Sequence, residues 1–360
     1  MHIPDGYLSP ATCAALYAGA APFWYLSLQR IKRMLHTRMV PMLSLFAAFS
    51  FVVMMFNLPL PGGTTGHAVG VGIASIVLGP WAAMLAISMA LLIQAFFFGD
   101  GGIMALGANC FNIAVVGSLV ASLVYRVIGG RSSLDSRRRL IAAALSGYAA
   151  INISALLTAI EFGIQPLLYR DAAGTPLYAP YPLGIAIPAM MIGHLTFAGL
   201  AEAIVSAGVV SYLQRSDLSL LKLTAPHAAA SENGVDLIGP VNGWRSTRSL
   251  WIGLAALMIM TPLGLLATGA AWGEWGPEDF NNPEIRDQIT RSSLNQAAPE
   301  MAPSGMQRLA TVWTAPMPDY APPFLRSETF GYIMSAMFGV GLIILSFLLI
   351  GRLMQRRQGT

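Results

Sequence analysis

Apolar residues run along the chain in nine stretches, at about 10–28, 40–58, 66–79, 80–98, 104–128, 139–164, 184–213, 250–271 and 330–351. Most of them reach the roughly 20 residues that a helix needs to cross ~30 Å of hydrocarbon. The third and fourth would form one long run were it not for Gly79-Pro80. Two shorter helices joined by a tight turn fit that pair better than one kinked span. Composition agrees, since 55% hydrophobic residues, 11% charged and a mean hydropathy of +0.60 over 360 residues exclude an ordinary soluble domain. The pattern predicts an all-α fold, a polytopic integral membrane helix bundle.

Charge orients the bundle. With the amino terminus outside, the segments 29–39, 126–139 and 214–249 and the tail from 352 face the cytoplasm, and they hold 16 of the 21 Lys and Arg. The positive-inside rule then predicts an extracytoplasmic amino terminus and a cytoplasmic carboxyl terminus. The net charge of +4 and the pI near 9.2 come from these short loops, so they report topology and contact with the lipid bilayer, and no nucleic acid is expected as a partner. Arg30, the first basic residue, follows the first apolar stretch, so no cleaved signal peptide is expected. Cys13 and Cys110 fall in or near spans and read as small packing residues.

The gaps between spans suggest two modules. Residues 1–215 form a seven-helix substrate-binding module, 216–248 a cytoplasmic linker, and 249–360 a two-helix accessory module enclosing an outer loop at 272–329. That loop carries eight carboxylates against four arginines and several prolines, a composition consistent with partial disorder. Its Trp272, Trp275, Trp313 and Tyr320 are expected to line the membrane interface as an aromatic belt in preference to building a folded cap.

Candidate chemistry begins at the first two residues. The Met1 amine and the His2 amide nitrogen close a five-membered chelate around a metal, and that amide with His2 Nδ1 closes a six-membered one. Three nitrogens then lie roughly in one plane, the geometry that nickel(II) and copper(II) favour strongly enough to displace an amide proton. A fourth donor is needed. The stretch Asn57-Leu58-Pro59-Leu60-Pro61-Gly62-Gly63-Thr64-Thr65-Gly66-His67 is too rich in Pro and Gly for regular helix, so it reads as an outer re-entrant or capping loop. It falls on the same side as the amino terminus, so His67 is a candidate for the fourth nitrogen, although a histidine at a helix start is also a common cap. A third outer loop, 98–112, offers Asp100, Asn109 and Asn112, and with Asp5 these are candidates to orient the ligating groups, or simply to cap helices. Glu161, His194 and Glu202 are ionisable groups within spans, where charge is a functional hypothesis by default; Glu161 and His194 are alternatively a structural pair.

The ordered motifs MHIPDGYLSP, NLPLPGGTTGH, GPWAA, FGDGGIMALGANCFN and YAPYPLGIAIPAM resemble those of the cobalt and nickel substrate-binding membrane subunits of energy-coupling-factor transporters, over about residues 1–215. The tail, with AWGEWG and APMPDY in its outer loop, is similar to the small accessory membrane subunit of these systems. The resemblance implies that Met1, His2 and His67 hold the metal, that nickel(II) or cobalt(II) is the transported substrate with no organic cofactor, and that the location is the bacterial cytoplasmic membrane. It also implies a separate coupling membrane subunit and ATP-binding-cassette ATPase subunits as partners. The chain itself has no GxxxxGK[ST] phosphate loop, so ATP hydrolysis is expected elsewhere. Gly79, Ala82, Ala83 and Ala86 are candidates for the surface that meets the coupling subunit. Two other readings stand beside the transporter subunit. A self-sufficient carrier or channel calls for coupling charges along the path and inverted repeats, neither of which is evident. A membrane metalloenzyme calls for an open metal position and a general base, and there is no HExxH.

Overall fold

The computed structural model describes residues 1–32, 39–60, 63–222, 224–225, 228–229 and 243–356. In chain order its elements are α1 (Pro10–Lys32), α2 (Met39–Met54), a hairpin of β1 (Leu58–Leu60) and β2 (Thr64–Gly66), α3 (Val71–Leu78), α4 (Pro80–Ile93), α5 (Leu106–Asn109), α6 (Ser118–Gly129), α7 (Arg137–Leu168), α8 (Leu183–Gly193), α9 (Gly199–Ser216), α10 (Ser219–Lys222), α11 (Gly243–Met260), α12 (Pro283–Ser292), α13 (Ser304–Leu309) and α14 (Glu328–Arg356). Among the described residues, six helical runs are long and apolar enough to cross a membrane: Pro80–Phe98, Leu106–Gly129, Arg137–Leu168, Leu183–Ser216, Thr247–Leu266 and Glu328–Leu353. The chain is thus a predominantly helical, multi-pass membrane protein.

Each of the nine apolar stretches carries helix, and the last six are those six runs; α2 has 16 residues, and the third stretch is shorter still. Helix α3 has eight residues, roughly 12 Å at 1.5 Å per residue. Glycines set its ends, Gly70 at φ 76° and Gly79 at φ 79°, and Pro80 opens α4 where its missing N–H has no partner to lose. Ala82, Ala83 and Ala86 on α4 are buried in the packing of α4 against α2 and α3, so they are not a free surface for another subunit. Most of the hydrophilic part of the linker expected at 216–248 lies outside the described residues; within them, α9 runs to Ser216 and α10 follows at once.

Three spans contain a π-helical turn, at Gln94–Phe98, Cys110–Gly117 and His194–Ala198. A π turn changes which side chains share a face and occurs often at functional sites. Here all three begin at the end of the bundle that receives the amino terminus: Gln94 bonds Asp100, Asn109 bonds Ile3, and His194 shares a cavity with Met1.

The loop 272–329 is neither disordered nor a belt. It folds into a cap against the first module, with Trp272, Trp275, Phe280, Ile289, Met306 and Tyr320 buried and only Trp313 substantially exposed among the aromatics named above. The Trp272 and Trp275 rings meet edge to face at 6.0 Å, and Trp272 Nε1 donates to Ser293 Oγ at 3.1 Å. Each large aromatic removes on the order of 150–250 Å² from water, so at about 25 cal/mol per Å² the two tryptophans and Phe280 contribute on the order of 10 kcal/mol. That outweighs the polar composition that suggested disorder. The cap is tied to the hairpin by Thr65 N–H donating to Ala270 O at 3.2 Å, and its helices α11 and α14 pack on α2.

Candidate metal centre

The first nine residues have no regular structure, so every polar group in them must find a partner elsewhere. They thread between three loops and are almost completely buried. Ile3 is held on both sides by Asn109, whose Oδ1 accepts from Ile3 N–H at 2.8 Å while its Nδ2 donates to Ile3 O at 3.1 Å. Gly102 N–H also donates to Ile3 O at 2.8 Å. Asp5 accepts from the backbone amides of Ile103, Met104 and Ala105, capping the turn that leads into α5. Burial pushes the Asp5 carboxyl up, and these three bonds pull against it. On the far side, Tyr7 O accepts from Ala179 N–H, Tyr7 OH donates to Trp275 O at 3.0 Å, and Ser9 N–H donates to Gln165 Oε1 at 3.0 Å. Gly6, at φ 94°, passes so close to Met306 that a Cβ there would lie 2.7 Å from its carbonyl oxygen. Only glycine fits this crossing.

This threading delivers Met1 and His2, 2% and 1% exposed, to His67, 6% exposed. The His2 and His67 rings stack with centroids 5.0 Å apart and planes 29° apart. His67 follows β2, and its Nδ1 lies 3.0 Å from Ala68 O. That bond requires a proton on Nδ1, so the lone pair of His67 sits on Nε2. Glu202 of α9 anchors the chain just beyond, accepting from Val69, Gly70 and Gly72 N–H at 2.7, 2.8 and 3.0 Å. A carboxylate at the start of α3 also matches the positive end of that helix. Burial, reinforced by the neighbouring His2 and amino terminus, pushes the His67 imidazole down to about 3 despite the nearby Asp100 and the Ala68 bond. His67 is therefore a neutral base, and the sign of its linkage to folding is set. Its stabilising contribution is complete above the ordinary histidine value near 6.5 and is lost as pH falls toward 3.

Two carboxylates close on the Met1 and His2 nitrogens. The Met1 ammonium donates to Glu274 Oε1 at 2.6 Å, and His2 Nδ1 lies 2.6 Å from Asp100 Oδ1. The second approach is off the N–H direction, so it is a close charge contact in place of a formed hydrogen bond, and neither nitrogen of the His2 ring has a hydrogen-bond partner among the described residues. Asp100 is held in turn by Tyr320 OH, which donates to Oδ2 at 2.6 Å, and by Gln94 Nε2 at 3.1 Å. Burial alone would raise the Asp100 carboxyl, but His2, His67 and Tyr320 together hold it well below the usual carboxylate range. Tyr320 itself, in the cap, adopts φ 59° after Asp319 at φ 53°, two adjacent left-handed residues that are not glycine. Such strain persists only where surrounding contacts fix it.

Of the residues singled out in the sequence, Met1, His2 and His67 therefore meet. Asp5 and Asn109 hold the amino-terminal segment and Asp100 touches His2. Asn112 does not join them: its Nδ2 donates to Thr158 Oγ1 and to Glu161 Oε2 at 2.8 Å, deeper in the bundle. Glu161 and His194 do not pair, since His194 Nδ1 bonds Met190 O at 2.9 Å. Glu274, Gln94 and Gln165 carry no role in the sequence reading, and Tyr320 appears there only as an aromatic of the interfacial belt. Glu274 and Tyr320 lie inside AWGEWG and APMPDY, so those motifs were the available signal.

Residues 2–220 match the family described as the cobalt uptake substrate-specific transmembrane region, and residues 246–356 match the PDGLE domain. The chain is 55% identical to the fused nickel transport protein NikMN of Rhodobacter capsulatus over 96% of this chain and 95% of that one. It is 31% identical to the cobalt transport protein CbiM of Geobacter sulfurreducens over 76% of this chain and 74% of that one. A crystal structure of a truncated transition metal transporter superposes with a TM-score of 0.56 at 48% identity, covering 60% of this chain and 99% of that one. The chain belongs to the cobalt uptake substrate-specific transmembrane family of metal transport proteins, joined in one polypeptide to a PDGLE domain.

Proposed function

We propose that the chain binds nickel(II), or cobalt(II), through four nitrogens, the Met1 amine, the His2 amide and Nδ1, and His67 Nε2, and presents it for uptake as the substrate-specificity subunit of an ATP-driven energy-coupling-factor transporter. The observation that carries the reading is the meeting of Met1, His2 and His67 in one buried place although 64 residues separate the two histidines. Binding there exchanges the amine proton held at Glu274, and the close contact of Nδ1 with Asp100, for the metal. Asn109 and Asp5 act as positioning residues for the chelating segment, Glu202 for His67. Planar nitrogen coordination favours low-spin nickel(II) and accommodates cobalt(II). The amino terminus is extracytoplasmic and the membrane is the bacterial cytoplasmic one. Residues 1–215 form the metal-binding module and 249–360 the accessory module, joined through 216–248. The coupling membrane subunit and the ATPases are separate chains.

Two measurements test this. Nickel uptake by cells expressing the chain should require a co-expressed coupling subunit and ATPase; uptake at the same rate with neither would establish a self-sufficient carrier instead. His67→Ala removes one corner of the plane but leaves Asn109, Asp5 and Glu202 in place. Loss of a group that merely supports a metal ligand typically costs roughly 10- to 100-fold in affinity, so loss of a ligand should cost at least that, with the helical signal unchanged. Equal affinities for the two proteins by titration calorimetry would remove His67 from the site.

A further inference from the structure

A cavity of about 180 Å³ opens beside the nitrogen site, and Met1, Leu60, Thr64, Thr65, Met190 and His194 contribute to its wall. It spans from the interior to the surface, since Met1 and His194 are 2% and 6% exposed whereas Arg291, also in the wall, is 62% exposed. Its outer lip belongs to the cap, where Leu294 adopts φ 56° and Asn295 φ 60°. A bulky residue in the left-handed region is a true outlier, and such strain gathers at functional openings.

We propose that this cavity is the route by which the hydrated metal reaches Met1, and that His194 Nε2 is a transient ligand on it. This rests on the reading of Met1, His2 and His67 as the metal site. His194 repeats the arrangement of His67: Nδ1 bonds the Met190 carbonyl, so the proton is fixed there and the lone pair is left on Nε2. Nε2 has no hydrogen-bond partner among the described residues. A ligating histidine almost always donates its other ring N–H to a carbonyl or carboxylate in this way. The ring stands at the start of the π turn His194–Ala198. The volume suits a hydrated ion, since it is many times what a single water needs. The step is a ligand exchange: one water leaves the metal as Nε2 binds, with no electron or proton transferred, and on arrival Nε2 leaves as the Met1 amine gives up its proton and takes its place. Arg291 does not bar a cation, because Asp287 pairs with it at 3.1 Å and both side chains are more than half exposed, where charge is screened.

A ligand used only in transit lowers the barrier equally in both directions and leaves the equilibrium alone. His194→Ala, and His194→Asn, whose amide can still donate to the Met190 carbonyl, should slow nickel(II) association and dissociation by the same factor, about tenfold for a barrier raised by 1.4 kcal/mol. The dissociation constant should stay within about twofold. Stopped-flow mixing of the full-length detergent-solubilised protein with nickel(II) ions reads both rates. Wild-type rates in folded His194→Asn would overturn the proposal. So would faster dissociation with weaker affinity, which would make His194 a resident ligand. Failure of the underlying site reading looks different, since the wild type would then bind nickel no better than His67→Ala.

Discussion

Acetylating the amino terminus, or placing a long tag before Met1, is expected to abolish nickel binding while the protein folds and inserts normally. Either change turns the Met1 amine into an amide and so removes a donor, and it removes the charge that meets Glu274 at 2.6 Å. The segment behind Met1 is fixed at Ile3 by Asn109 and Gly102, so no other amine takes its place. The expected loss exceeds about 100-fold, the upper end for a group that only supports a ligand. The cap or tag must be chosen with care. Adding one residue would move the histidine to position three and insert a second amide between amine and imidazole, which closes a different planar chelate with its own nickel affinity. Wild-type nickel uptake by an expressed, acetylated or long-tagged protein would refute the amine as a ligand.

What the sequence made legible follows from covalent order and local sterics. The Met1 and His2 chelate needs no tertiary information, because ring sizes are set by adjacent bonds. Gly79-Pro80 broke its apolar run for equally local reasons, a glycine at φ 79° and a proline at the first helical position. Asn109 and Asn112 show where this fails. Three residues apart, they would share a face of an α-helix, which gives both the same candidate role. The π turn from Cys110 to Gly117 changes the rotation per residue, so Asn109 meets Ile3 while Asn112 meets Thr158 and Glu161. Nothing in the apolar periodicity marks such a turn. Glu274 and Tyr320 were invisible for another reason: their partners Met1 and Asp100 lie 273 and 220 residues away in sequence. The cap was misread because prolines and carboxylates dominate its composition, whereas single, irregularly spaced aromatics such as Trp272, Trp275 and Phe280 supply its core.

Nickel affinity is expected to fall steeply with acid, and the structure fixes how many protons are involved. Each proton that the metal displaces weakens binding by one decade per pH unit wherever that proton is held in the unbound protein. The His2 amide holds its proton at every accessible pH, so it alone predicts about 100-fold between roughly pH 7.5 and 5.5. The Met1 amine, donating to Glu274, must also give up a proton to the metal and so steepens the fall. His67 adds no further competitor, because burial first, then His2 and the amino terminus, push its imidazole down to about 3, and the lone pair on Nε2 is free throughout the window. Calorimetry in two buffers of different ionisation enthalpy should therefore count protons released from the amine and the amide, with none from His67. A site built instead on Asp5 and Asp100 would behave otherwise, since Asp100 is held well below the usual carboxylate range and takes up no proton in this window. A binding constant that changes less than about tenfold over those two pH units, below even the share of the amide alone, would remove the deprotonated His2 amide from the coordination sphere and transfer the metal to the carboxylates.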